Sequence, residues 1–118
     1  MLTMSKETSM SVEREQLLTA WQQALPATFK PTDKVEVYND PLVQDALHIH
    51  INTAGHNHYE FEYRCRYIDP REVQVTLLNI QREGDTVINP TPDIRNLSEE
   101  YMRNIHECAQ TLHPLTNP

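Results

Sequence analysis

Residues 59–67 read Tyr59-Glu60-Phe61-Glu62-Tyr63-Arg64-Cys65-Arg66-Tyr67, an unbroken alternation of aromatic or apolar side chains with charged ones. Successive side chains of a strand point to opposite faces. This segment therefore predicts a half-buried β-strand with Tyr59, Phe61, Tyr63, Cys65 and Tyr67 on one side. Glu60, Glu62, Arg64 and Arg66 then occupy the other.

Working outward, the same period of two recurs. Leu47, Ile49 and Ile51 alternate with His48, His50 and Asn52, and Thr53 to Asn57, containing Gly55, supplies a turn. Val35 and Val37 flank Glu36 in a short first strand stopped by Asn39-Asp40-Pro41. On the C-terminal side, Asp69-Pro70-Arg71 turns the chain into Val73, Val75 and Leu77. Leu77-Leu78-Asn79-Ile80 then breaks phase, as a β-bulge does. Gly84-Asp85 predicts a further hairpin leading to an edge strand at Thr86–Ile88, and Asn89-Pro90-Thr91-Pro92 ends the sheet.

Helical spacing brackets these strands. Ser11 as N-cap, Leu17, Leu18, Trp21, Ala24 and Leu25 at intervals of three and four, and Pro26 as terminator predict a helix over about 12–25. Asn96 with Glu99 resembles a capping box and opens a second helix over about 97–113. Its apolar face is Leu97, Tyr101, Ile105, Cys108, Ala109 and Leu112. One-faced strands need cover on one side only, so the expected fold is α+β: a four- to five-stranded antiparallel meander with both helices on the aromatic face. Residues 1–10 read as a disordered tail, 11–113 as one domain and 114–118 as a loose end.

Composition narrows the function classes. The chain has 118 residues and a formal net charge of −7, with three lysines and no basic cluster beyond Arg64 and Arg66, which opposes nucleic-acid binding. No apolar run approaches the length of about 18 residues needed to span a membrane, and residues 1–11 lack the apolar core of a secretory signal. A cytoplasmic location is expected. Two glycines, each at a predicted turn, exclude phosphate-cradling loops and dinucleotide fingerprints. None of the four serines stands in a nucleophile-elbow setting. Cys65 and Cys108 fall on apolar faces and read as buried thiols.

Four of the six histidines crowd into residues 48–58. If the hairpin pairs Asn52 with His58, then His50 lies opposite Glu60 and His48 opposite Glu62, with side chains in contact range. His48, His50, His58, Glu60 and Glu62 thereby form a candidate divalent-metal site, because imidazole and carboxylate ligands suit zinc, iron, manganese or nickel. No cofactor is otherwise expected. The same five residues with Arg64 and Arg66 form a candidate partner surface.

The plainer reading is a solvated face of cross-strand charge pairs. Titration of imidazole near neutrality adds a pH-responsive surface as a further reading. Tyr59, Tyr63 and Tyr67 pointing inward suggest a third function, a small-molecule cavity. By elimination, the sequence favours a small non-catalytic protein–protein interaction module of adaptor, inhibitor or regulatory type. Its partner is another protein or itself, through the polar face or through a free edge at Val35–Val37 or Thr86–Ile88.

Overall fold

The inward side chains of residues 59–67 organise the core. In a computed structural model, which describes residues 13–53 and 58–116, Phe61, Tyr63 and Cys65 have no solvent exposure and Tyr67 very little. Their strand, β3 (Tyr59–Asp69), is the centre of a five-stranded antiparallel meander in sequential order. The other strands are β1 (Asp33–Asn39), β2 (Ala46–Thr53), β4 (Glu72–Arg82) and β5 (Asp85–Thr86). Two main helices, α1 (Arg14–Ala24) and α2 (Pro92–Thr111), cover one face, as the alternation requires; a short α3 (His113–Thr116) ends the described chain.

The helices are seated by specific contacts as well as apolar burial. Trp21 of α1, fully buried, donates its indole N–H to the Tyr67 hydroxyl at 3.2 Å and meets that ring edge-on. Tyr63 donates its hydroxyl to the Ser98 carbonyl of α2 at 2.7 Å, and Phe61 packs edge-on against Tyr101 with ring centroids 5.2 Å apart. Burying each such side chain contributes about 1.5–3 kcal/mol, and satisfying the hydroxyls removes the penalty of burying them.

The termini of elements depart from simple sequence rules for local reasons. Leu25 stays in the right-handed helical region, because Pro26 begins a 3-10 turn (Pro26–Thr28) rather than expelling its neighbour from helical space. Ser11 lies outside the described residues, and Glu13 takes the N-cap position of α1. The Asn96/Glu99 capping box is not used. Thr91 caps α2 by accepting from the Ile94 N–H, with Pro92 in the first turn where its missing N–H is no loss. The helix therefore starts five residues before position 97 and buries Ile94 and Ser98 as well.

The end of the described chain is tied down, not loose: Thr116 is buried and its hydroxyl donates to the Pro70 carbonyl at 2.8 Å. The expected phase break is present as a register shift opposite Glu62 and Tyr63, where Leu78 is the extra residue. The edge strand is Asp85–Thr86, one residue earlier than expected, because Glu83 (φ 53°) and Gly84 (φ 90°) form the turn.

Both thiols are buried. Burial, with Cys108 adding its charge, pushes the Cys65 thiol far above its ordinary value, and burial alone pushes Cys108 up to about 12. Since the thiolate is the reactive species, neither cysteine should react with a thiol-specific disulfide reagent in the native protein, and both should after denaturation. Fast labelling of the folded chain would contradict this packing. Phe61→Ala should destabilise the domain by about 3–5 kcal/mol in urea titration, through lost transfer energy plus a residual cavity.

Candidate functional site

The face opposite the helices is covered by no element among the described residues. It carries Glu36 and Tyr38 from β1, His48 and His50 from β2, and Glu60, Glu62, Arg64 and Arg66 from β3. The β2–β3 register differs from the expected one by two residues: His48 pairs with Arg64, His50 with Glu62, and Asn52 with Glu60. Thr53 pairs with Tyr59, and its hydroxyl donates to the Tyr59 carbonyl at 3.0 Å. His58 becomes a turn residue at φ 61°. A slip of two keeps every side chain on its own face, so the polar set survives although its partners change.

The contacts now run diagonally. His50 Nε2 lies 3.0 Å from Glu60 Oε1, and its Nδ1 lies 3.8 Å from Glu36 Oε1. His48 Nε2 lies 3.5 Å from Glu62 Oε1, and its Nδ1 lies 3.8 Å from Asp40 Oδ2. Each imidazole on β2, between β1 and β3, thus bridges a carboxylate from the β1 side to one from β3. Tyr38 closes the ladder: its ring stacks on His48 at 5.9 Å and its hydroxyl donates to Glu36 at 3.0 Å. Partial burial first, then the Glu36 hydrogen bond and the charges of Glu36 and Glu62, raise the Tyr38 hydroxyl, which keeps it a donor.

Asp40 anchors the network. Its side chain has no exposed surface, and Oδ1 accepts from the backbone N–H of Leu42 at 2.8 Å and of Val43 at 2.9 Å. Oδ2 accepts from Arg64 Nε at 2.9 Å. Burial alone would raise this carboxyl; the Arg64 hydrogen bond, the two backbone N–H groups and the Arg64 charge outweigh it and hold it below the usual carboxylate value.

Of the expected residues, the fold gathers His48, His50, Glu60, Glu62 and Arg64 into one network. Arg66 shares their face, exposed and without an ion pair among the described residues. His58 is not brought in: it is an exposed turn residue. His56 lies outside the described residues. Glu36, Tyr38 and Asp40 were not singled out by sequence, although the alternation of Glu36 with Val35 and Val37 already placed Glu36 outward. Asp40 had read only as a strand stop.

The metal geometry does not follow from this arrangement: among the described residues no three His, Cys, Asp or Glu side chains converge as a metal site requires. Each imidazole has its two nitrogens turned toward carboxylates on opposite sides of the ring, which spreads the donors instead of focusing them. The inward Tyr63 is fully buried against α2, and its hydroxyl donates to the Ser98 carbonyl. A cavity of about 470 Å³ lies elsewhere, lined by Asp69, Arg71, Glu72, Gln110 and His113.

Removing the guanidinium tests the anchor. Arg64→Met should destabilise the protein by about 2–3 kcal/mol at neutral pH, because it leaves the Asp40 carboxylate buried without its charged donor. Asp40 is held below its unfolded value, so its stabilising contribution is present above about pH 4 and is lost as pH falls through the folded value. The gap between wild type and variant should therefore close on acidification, as read by denaturant titrations across pH. A gap independent of pH would mean that Arg64 acts through packing alone.

Comparison with protein-family models, with curated proteins and with solved structures returned no match, so the functional reading starts from this geometry.

Proposed function

We propose that this chain is a non-catalytic protein–protein interaction module that docks a partner protein on its uncovered sheet face. The observation that supports the reading is a surface whose polar groups are already ordered: Tyr38, 42% exposed, is held from two sides by His48 and Glu36. Immobilising flexible side chains opposes association, and a face ordered before binding avoids most of that loss. Tyrosine is also among the residues that most often dominate interface energetics, since it offers apolar area and a polar tip with few rotors.

Charge along the face is graded. Glu36, Glu60 and Glu62 lie toward one end and Arg64 and Arg66 toward the other. Glu60 and Arg66 are separated by about 20 Å at about 3.4 Å per residue. The matching partner presents basic side chains opposite the glutamates, an acidic group opposite Arg66, and an apolar recess for Tyr38. We place this activity in the cytoplasm, where reduced, buried thiols such as Cys65 and Cys108 are the ordinary state.

The test is capture from the native cell with wild-type, Tyr38→Ala and Arg66→Glu proteins, the last two changing exposed side chains of the face. A partner retained by wild type should bind Tyr38→Ala about tenfold more weakly and should elute as salt is raised. Identical sets of captured proteins for all three would remove the sheet face as the docking surface.

A further inference from the structure

A second surface, independent of the polar face, lies along β4. β5 is only two residues long and pairs with Gln81 and Arg82, with one further bond from the Val87 N–H to the Ile80 carbonyl. From Glu72 to Asn79 the outer side of β4 has no strand neighbour among the described residues. An open edge presents a row of unpaired backbone donors and acceptors, the template for strand addition.

The two long edges of the sheet are treated differently. On β1 the edge carries Asp33, Lys34 and Glu36, and Gln22 of α1 donates its side-chain amide to the Val37 carbonyl at 3.0 Å. Charge and a side-chain cap are the usual devices that blunt an edge. Past Glu72 the open β4 edge has neither among the described residues. Residues 73–81 read Val-Gln-Val-Thr-Leu-Leu-Asn-Ile-Gln, uncharged, without glycine or proline, and rich in strand formers. On the helix-covered side, Val73, Val75 and Leu77 are only partly buried, whereas their β3 partners are fully (Cys65, Tyr63) or almost fully (Tyr67) so. The apolar layer therefore runs out to the edge and stops there incompletely covered.

We infer that the β4 edge pairs with the β4 edge of a second copy of this chain, antiparallel across a two-fold axis through Val75. The sequence of the edge selects both occupant and register. To keep helices on one side of the joined sheet, residues facing inward must oppose residues facing inward, which limits the register to steps of two. With the axis at Val75, Val75 opposes Val75 of the second copy and Val73 opposes its Leu77, all on the covered face. Gln74 opposes its Thr76, and Glu72 its Leu78, on the outer face.

The pairs about the axis are apolar with apolar and amide with hydroxyl, the end pair sets Glu72 against Leu78, and no like charges meet. This last point is decisive for a chain of net charge −7, whose copies repel elsewhere. The bulge at Leu78 and the start of β5 at each end bracket the pairing run, so two copies close the association and a filament does not follow.

Sedimentation velocity on the whole chain, up to several hundred micromolar, tests the pairing. Wild type should move from the mass of one chain to that of two, and more readily at high salt, which screens the net charge. That salt response is opposite in sign to the one expected for docking on the polar face, so the two readings fail separately. Gln74→Lys/Thr76→Lys places four ammonium groups beside the axis on exposed outer positions, and should sediment as one chain with unchanged circular dichroism.

Val75→Cys decides the register. Opposed antiparallel residues have Cα atoms about 4.5–5.5 Å apart, within disulfide range, and the native thiols are buried. The variant should form a covalent dimer with oxidised glutathione, and this readout stands even if the lysine variant fails to fold. A wild type that stays a single chain throughout, a dimer indifferent to the two lysines, or a Val75→Cys protein that does not cross-link would each overturn the pairing.

Discussion

The structure depends on one constraint: a sheet whose strands are apolar on one face must be covered on that face and on that face only. Everything on the covered face is committed to packing. Trp21 reaches Tyr67 from α1, and Tyr63 and Phe61 meet Ser98 and Tyr101 from α2, so the helices are located by paired polar and aromatic contacts within an otherwise apolar layer. Buried tyrosines in a small core demand partners for their hydroxyls. Here the indole N–H of Trp21 and the Ser98 carbonyl supply them for Tyr67 and Tyr63.

Freed from packing, the opposite face holds its order by electrostatics. Asp40 is the fixed point. Two backbone N–H groups and one guanidinium make its burial favourable, and from it the contacts extend through His48 to Glu62, Tyr38, Glu36, His50 and Glu60. Exposed ion pairs taken singly contribute little to stability. Linked over three strands, they instead hold side-chain positions, and ordered polar positions are what a docking surface uses. The same linkage works against a metal, because ring nitrogens already turned toward separate carboxylates do not share a focus.

The edges of the sheet show a similar division of labour. β1 is protected by charge and by Gln22, while β4 is left open over Glu72 to Asn79 because the hairpin into β5 pairs only its last residues. Residues 73–81 of that edge strand carry no charged side chain, in a chain whose formal net charge is −7. The polar face and the β4 edge thus differ in chemistry, one charged and the other uncharged.

Period-two alternation over residues 47–52 and 59–67 fixed the inner and outer faces and the membership of His48, His50, Glu60, Glu62 and Arg64 in one polar set, and with the bracketing helical spacings it determined the fold class. A period of two leaves no other assignment once one face is buried. The phase break at Leu77–Ile80 was legible for the same reason. Tertiary structure decided what depends on closure and long-range contact. The β2–β3 register lies two residues from the expected one, and a left-handed His58 falls outside the ladder and so outside the set. Thr91 with Pro92 outcompetes Asn96 as the start of α2, because Ile94 and Ser98 are buried against the sheet. Asp40, a strand stop by composition, became an anchor only when folding carried Arg64, 24 residues away in sequence, to within 2.9 Å of its carboxylate. Face and period are local properties of the chain; register, caps and buried ion pairs are set by what the rest of the fold brings against them.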